Sequence, residues 1–135
     1  MKSVLLACAL LFSLMYSSRA SANECAGNLI DYSVVRTQSG QTIGELALYY
    51  DSANGNNCAV FNHAGPTWGL QTFTEVMIND CNGGTCPSSS ARDAGPYAYR
   101  AGPVRMYGRG RCIRASGSIR YQGYRFYGAS ANYCR

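Results

Sequence analysis

Arginine and tyrosine alternate through the last third of this chain in a pattern suited to holding an anion. The stretch runs Tyr97-Ala98-Tyr99-Arg100, then Arg105-Met106-Tyr107-Gly108-Arg109-Gly110-Arg111, then Arg120-Tyr121-Gln122-Gly123-Tyr124-Arg125-Phe126-Tyr127. Guanidinium forks match phosphate, sulfate and carboxylate groups bidentately. Tyrosine rings offer faces on which sugars or bases stack and over which cations sit. The candidate binding set is therefore Arg100, Arg105, Tyr107, Arg109, Arg111, Arg120, Tyr124 and Arg125. On a strand, Arg105, Tyr107 and Arg109 share one face, opposite Val104 and Met106. The competing explanation is ordinary: tyrosines pack a core while arginines solubilise the other face.

Charge is distributed unevenly. Residues 23–91 hold one arginine against six acids, a net −5, and residues 92–135 hold nine arginines against one acid, a net +8. Lysine is absent after Lys2. Such asymmetry marks a polyanion-binding surface, unless the halves fold onto each other and neutralise.

Few residues could do catalysis. His63 is the sole histidine, so a general-base mechanism must centre on it. With Glu75 and one arginine it could cleave RNA, imidazole and carboxylate moving protons while guanidinium stabilises the phosphorane. No nuclease spacing accompanies it, and a lone histidine at a strand end is usually a polar surface residue. Cys81, Cys86 and His63 could ligate a metal only if the thiols were reduced. No P-loop, nucleophile elbow or paired-carboxylate motif is present. The expectation is a non-enzymatic protein with no cofactor and no metal. Trp68 reads as an anchor fixing its loop to the core, with a sugar-stacking platform as the alternative.

The elements that must position these residues begin after a secretory leader. Lys2 precedes an apolar run from Val4 to Met15, and Ala20-Ser21-Ala22 supplies small residues for cleavage. Residues 1–22 are thus expected to be removed, leaving one secreted domain over residues 23–135. No later apolar run approaches the roughly 20 residues of a membrane span. Of seven cysteines, Cys8 falls in the leader; Cys25, Cys58, Cys81, Cys86, Cys112 and Cys134 remain. An even number in an exported domain means disulfides. Cys81 and Cys86 are close enough to pair locally. Cys112 with Cys134, leaving Cys25 with Cys58, is the preferred pairing of the others.

The intervening segments are short, rich in Tyr, Val, Ile and Thr, and separated by Gly, Asn, Ser and Pro, an all-β pattern. Strands are predicted at Asn28–Thr37, Thr42–Asp51, Asn57–His63, Gln71–Asn79, Tyr97–Tyr107, Arg111–Ala115, Ser118–Tyr121 and Tyr124–Tyr127. The turn at Asp51–Asn56 contains Asn54-Gly55, which tolerates positive φ. Asp80–Ala91 is a polar loop, and Gly108, Gly110, Gly117 and Gly123 separate or bend the later strands. The fold class is therefore all-β: a small disulfide-stabilised sandwich or barrel of about six to eight short strands.

The hairpin Tyr49-Tyr50-Asp51-Ser52-Ala53-Asn54-Gly55-Asn56-Asn57-Cys58 resembles one in the spore-associated protein A family, small secreted proteins of actinomycetes. Members of that family carry a similar Tyr-Asn-Ser-Ala-Asn-Gly-Asn-Asn-Cys stretch. Tyr99-Arg100-Ala101-Gly102-Pro103-Val104 is similar to the family's Tyr-Ala-Gly-Pro-Val. Gly110-Arg111-Cys112-Ile113 and Cys134 follow in the same order. The resemblance spans Cys25 to Cys134. It implies a secreted, disulfide-bonded β-domain at spores or the cell exterior, without known catalytic residues. Arg100, the Cys81/Cys86 pair and the basic C-terminal half depart from the family pattern.

Together these readings favour association with an extracellular surface, the partner being an anionic polysaccharide or cell envelope. Nucleic acid is a less supported partner. A cationic antimicrobial or toxin-like effector and a small hydrolase centred on His63 are the alternatives.

Overall fold

The computed structural model describes residues 25–82, 85–86 and 91–134. The leader expected at residues 1–22 lies outside the described residues. Nine strands form two antiparallel sheets. The first sheet has the order β1 (Asn28–Arg36), β2 (Thr42–Asp51), β3 (Asn56–His63) and β6 (Arg100–Tyr107). The second has the order β5 (Ala91–Tyr97), β4 (Thr72–Asp80), β7 (Cys112–Tyr121) and β8 (Tyr124–Ala129), with the short β9 (Tyr133–Cys134) also on β7. The chain changes sheet three times: through a 3₁₀ turn at Gly65–Thr67, at Ala98–Tyr99, and at Gly108–Arg111.

Alternation along the strands builds the core. Leu46 and Leu48 of β2 face Phe61 and Ala59 of β3 across the ladder. From the second sheet, Val76, Ile78, Ile113, Ala115 and Ile119 meet them, all at most 1% exposed. The intervening residues of β4, Phe73, Glu75 and Met77, fall on the outer face.

Phe61 is fully buried and lies between two glycines. A Cβ at Gly44 would sit 2.5 Å from its Cε1 and Cζ, and one at Gly117 would sit 2.5 Å from its Cδ2. Gly117 is therefore not the strand break that the sequence suggests. The predicted segments Arg111–Ala115 and Ser118–Tyr121 are one strand, β7, whose missing side chain admits an aromatic ring from the facing sheet.

A second correction concerns Tyr97–Tyr107, expected as one strand. It is two strands in different sheets. The corner is held by tertiary hydrogen bonds, Gly69 N–H to Ala98 O and His63 N–H to Tyr99 O, with no Gly or Pro at positions 98 and 99 to announce it. Both prolines of this region fit edge positions: Pro96 on β5, which pairs only with β4, and Pro103 on β6, which pairs only with β3.

The predicted central hairpin is present, with Asp51 paired to Asn56. The Asp51 carboxylate accepts the Ala53 N–H at 3.0 Å, and Gly55 alone in the turn takes positive φ. Three disulfides join Cys25–Cys58, Cys81–Cys86 and Cys112–Cys134. The last holds β9 against the start of β7, a two-residue strand too short for pattern to reveal. No helix among the described residues is long and apolar enough to cross a membrane.

Candidate functional site

The outer face of the second sheet gathers arginines from three strands: Arg92 on β5, Arg114 and Arg120 on β7, and Arg125 on β8. Strand registers create this juxtaposition. Arg92 lies opposite Met77, Arg114 opposite Asn79, and Arg120 opposite Arg125.

Glu75 stands at the centre of this face. It is 4% exposed although it points away from the core, because arginine side chains cover it. Arg92 Nε donates to Oε2 at 2.6 Å, and Arg125 donates to Oε1 at 2.9 Å. Arg125 Nε also donates to Ser118 Oγ at 3.0 Å. Its guanidinium lies 4.9 Å from the Phe73 ring centroid and 5.2 Å from that of Tyr127. Arg120 lies 5.3 Å from the same Phe73 ring. A guanidinium lying over a ring can keep N–H groups for an anion, although two of Arg125's nitrogens already donate to Ser118 and Glu75.

Arg114 and Arg120 form no ion pair with any described residue. Arg114 borders a shallow hollow of about 330 Å³ with Asn79, Ser116 and Tyr127. The Asn79 Oδ1 atom there is buried without a hydrogen-bond partner. The face thus offers cations for an anion.

The eight candidate residues of the sequence do not form one surface. Arg120 and Arg125 belong to the second-sheet face, and Tyr124 to the β7–β8 hairpin beside it. Arg100, Arg105 and Tyr107 lie on β6, in the other sheet. Arg105 and Tyr107 do share a face opposite Val104 and Met106, but β6 ends at Tyr107, so Arg109 leaves that ladder. Arg109 donates to Ser52 O at 2.8 Å, and Arg111 pairs with Asp80. That contact holds the Asp80 carboxyl below its ordinary range, helped by the Asn82 N–H. Arg92, Arg114, Phe73 and Tyr127 join the face without having been singled out as ligands. The alternation of Phe73, Glu75 and Met77 on β4 was the signal that could have found it.

The two charge halves neutralise only in part. Among the described residues, Glu75 and Asp80 engage Arg92, Arg125 and Arg111. The other acids with side-chain contacts serve neutral donors: Asp31 accepts from the Tyr133 hydroxyl, Asp93 from the Tyr97 hydroxyl and the Gly102 N–H, and Glu45 lies against Tyr32. Glu45 pushes the Tyr32 hydroxyl up to about 12.

His63 is 2% exposed, inside the sandwich. Its Nδ1 lies 2.7 Å from Thr67 O and its Nε2 lies 2.7 Å from Thr74 Oγ1. The carbonyl can only accept, so Nδ1 carries a proton; the single Thr74 hydroxyl proton has both His63 Nε2, at 2.7 Å, and Thr72 O, at 3.1 Å, within reach. Thr74 and Glu75 are adjacent on β4 and project to opposite faces, so the His63–Glu75 pairing of a ribonuclease reading is not formed. Nor is His63 the surface residue expected. Burial lowers its pKa from the ordinary 6.5, against the opposing effect of the Thr67 hydrogen bond. Below pH about 6.5 the unfolded chain takes up a proton that the folded chain refuses, so stability falls as pH drops toward the lowered native value. Urea midpoints measured across this window should decline in the parent and decline less in His63→Gln. Identical slopes would remove His63 as the cause.

Trp68 is not a core anchor. It is 61% exposed and packs edge-on against Tyr99, with ring centroids 4.9 Å apart. Among the described residues no cluster of three or more histidine, cysteine or acidic side chains could hold a metal ion.

No family model matches the chain, and no solved structure matches it. Among characterised proteins it is similar to Spore-associated protein A of Streptomyces coelicolor, with 32% identity over 100 residues. The match covers 74% of this chain and 60% of that protein, so the chain spans less than two thirds of its relative's length. The chain is therefore similar to Spore-associated protein A along most of its own length.

Proposed function

We propose that this is a secreted, non-enzymatic protein that attaches to an extracellular or spore surface by binding anionic polysaccharide on the outer face of its second sheet. The observation that supports this most is the pair Arg114 and Arg120, which have no ion-pair partner among the described residues and flank rings and polar groups on one face. An acidic glycan brings the anions that these guanidinium groups lack. The name of the Streptomyces relative supports a setting at spores. The disulfides fit an oxidising exterior.

The test is retention of the oxidised protein on heparin across a salt gradient. Arg114→Gln with Arg120→Gln should elute at clearly lower salt than the parent and show a flatter salt dependence. Arg100→Gln with Arg105→Gln, which removes the same charge from the other sheet, should cost less. Equal losses from the two pairs would mean that net charge, rather than this face, governs binding. Dye release from anionic vesicles is the mark of the envelope-disrupting alternative and is not expected.

A further inference from the structure

At one end of the sandwich, a cleft of about 330 Å³ opens between the β1–β2 turn and the β7–β8 hairpin. Its aromatic wall is Tyr121, Tyr124 and Phe126, and Gln38, Ser39 and Gln122 supply amide and hydroxyl groups. We propose that this cleft binds a neutral saccharide, separately from the arginine face and independently of its function.

The lining argues for that chemistry. Among the described residues no charged side chain borders the cleft, so none of them compensates an ionic ligand there. A purely apolar ligand would bury the amides and hydroxyls unpaired. A sugar ring meets both demands, with an apolar C–H face to lie on an aromatic ring and equatorial hydroxyls to pair at the rim. The volume stands at the low end of the roughly 300–1,000 Å³ of small-molecule sites, which fits one ring of a longer glycan. Tyr124 is 72% exposed, and its ring lies 6.4 Å from that of Phe126 at a 60° tilt, leaving its outer face open.

Both walls are built in advance. The β1–β2 turn is fixed by Gly40 N–H to Thr37 O at 2.9 Å, Gln41 N–H to Thr37 Oγ1 at 3.1 Å, and Arg36 to Thr42 Oγ1 at 2.8 Å. In the hairpin, Gln122 takes φ of 50°, the only non-glycine residue among those described with positive φ. Asn or Gly is the usual choice there. Retaining a longer amide at a strained position places a donor–acceptor group at the cleft mouth. Preformed walls reduce the ordering cost of binding.

The experiment is an amide chemical-shift titration of the oxidised protein with cellotetraose and, separately, tetra-N-acetylchitotetraose, at high salt so that ionic contacts are screened. At least one should shift amides around Gly40 and Gln122–Gly123 with saturation. Tyr124→Ala, exposed enough to leave the fold intact, should weaken binding roughly tenfold. Gln122→Gly relieves the strained turn, so it should weaken binding without lowering Tm. Absence of saturable shifts with both sugars, shifts mapping elsewhere, or parent-level affinity in Tyr124→Ala would each overturn the proposal. Loss of heparin retention in the arginine variants with the sugar titration unchanged would leave the cleft standing alone.

Discussion

Phe61→Ala should destabilise the protein by about 3–5 kcal/mol, the largest effect expected of any single truncation. The ring is wholly buried, begins in the first sheet and fills the space left by Gly117 in the second. Removing it opens a cavity that neither sheet can close without breaking its ladder. The reverse change is as informative. Gly117→Ala drives a Cβ to 2.5 Å from the ring and 2.8 Å from Glu75 O. It should cost about 1–3 kcal/mol or more. If the ring is the obstacle, Phe61→Leu with Gly117→Ala should be less destabilised than the sum of the two single changes. Denaturant unfolding of all four proteins reads this out. Additive losses would put the obstacle at the Glu75 carbonyl instead.

Glu75→Gln should move stability and binding in opposite directions. The carboxylate is held by two guanidinium groups, and its neutral replacement loses both charge-assisted interactions. Because Arg92 and Arg125 remain partly exposed, the expected loss is about 1–2 kcal/mol. The protein should nevertheless elute from heparin at higher salt, since two cations on the proposed face lose their internal anion. A melting curve and a salt gradient on the same preparation decide it. If retention falls together with Tm, Glu75 organises the arginines for binding rather than masking them.

Local chemistry made part of this architecture legible. The β2–β3 hairpin could be read because Asp51, Asn54 and Gly55 encode their turn within a few residues, and alternation then set which side of β2 and β4 faces inward. Of the disulfides, only the local Cys81–Cys86 pair was readable from spacing; it left three pairings of the other four cysteines, of which the preferred one is formed. The arginine face was not readable as a unit. Glu75 meets Arg92 and Arg125 across separations of 17 and 50 residues, distances fixed by sheet registers rather than by spacing. The linear Arg/Tyr run misled for the same reason. Changing sheets at Ala98–Tyr99 and Gly108–Arg111 sends neighbouring arginines to opposite sides of the molecule. Gly117 misled because an isolated glycine in a strand signals either a break or a close approach, and only the facing sheet tells which.

The outer strands of the two sheets have a bearing on crowding. A straight, unbroken edge is a template on which a second copy can add a strand and polymerise. Here β1 is interrupted by register shifts at Leu29/Asp31 and Val35/Arg36, β6 by Pro103 and a shift at its partner's Ala59/Phe61, and β5 by Pro96. The remaining edge is divided between β8, which carries Arg125, and the two-residue β9. Molecules packed densely on a surface would therefore meet as discrete particles, and a coat made from them would be held by what they bind rather than by fibre growth between them.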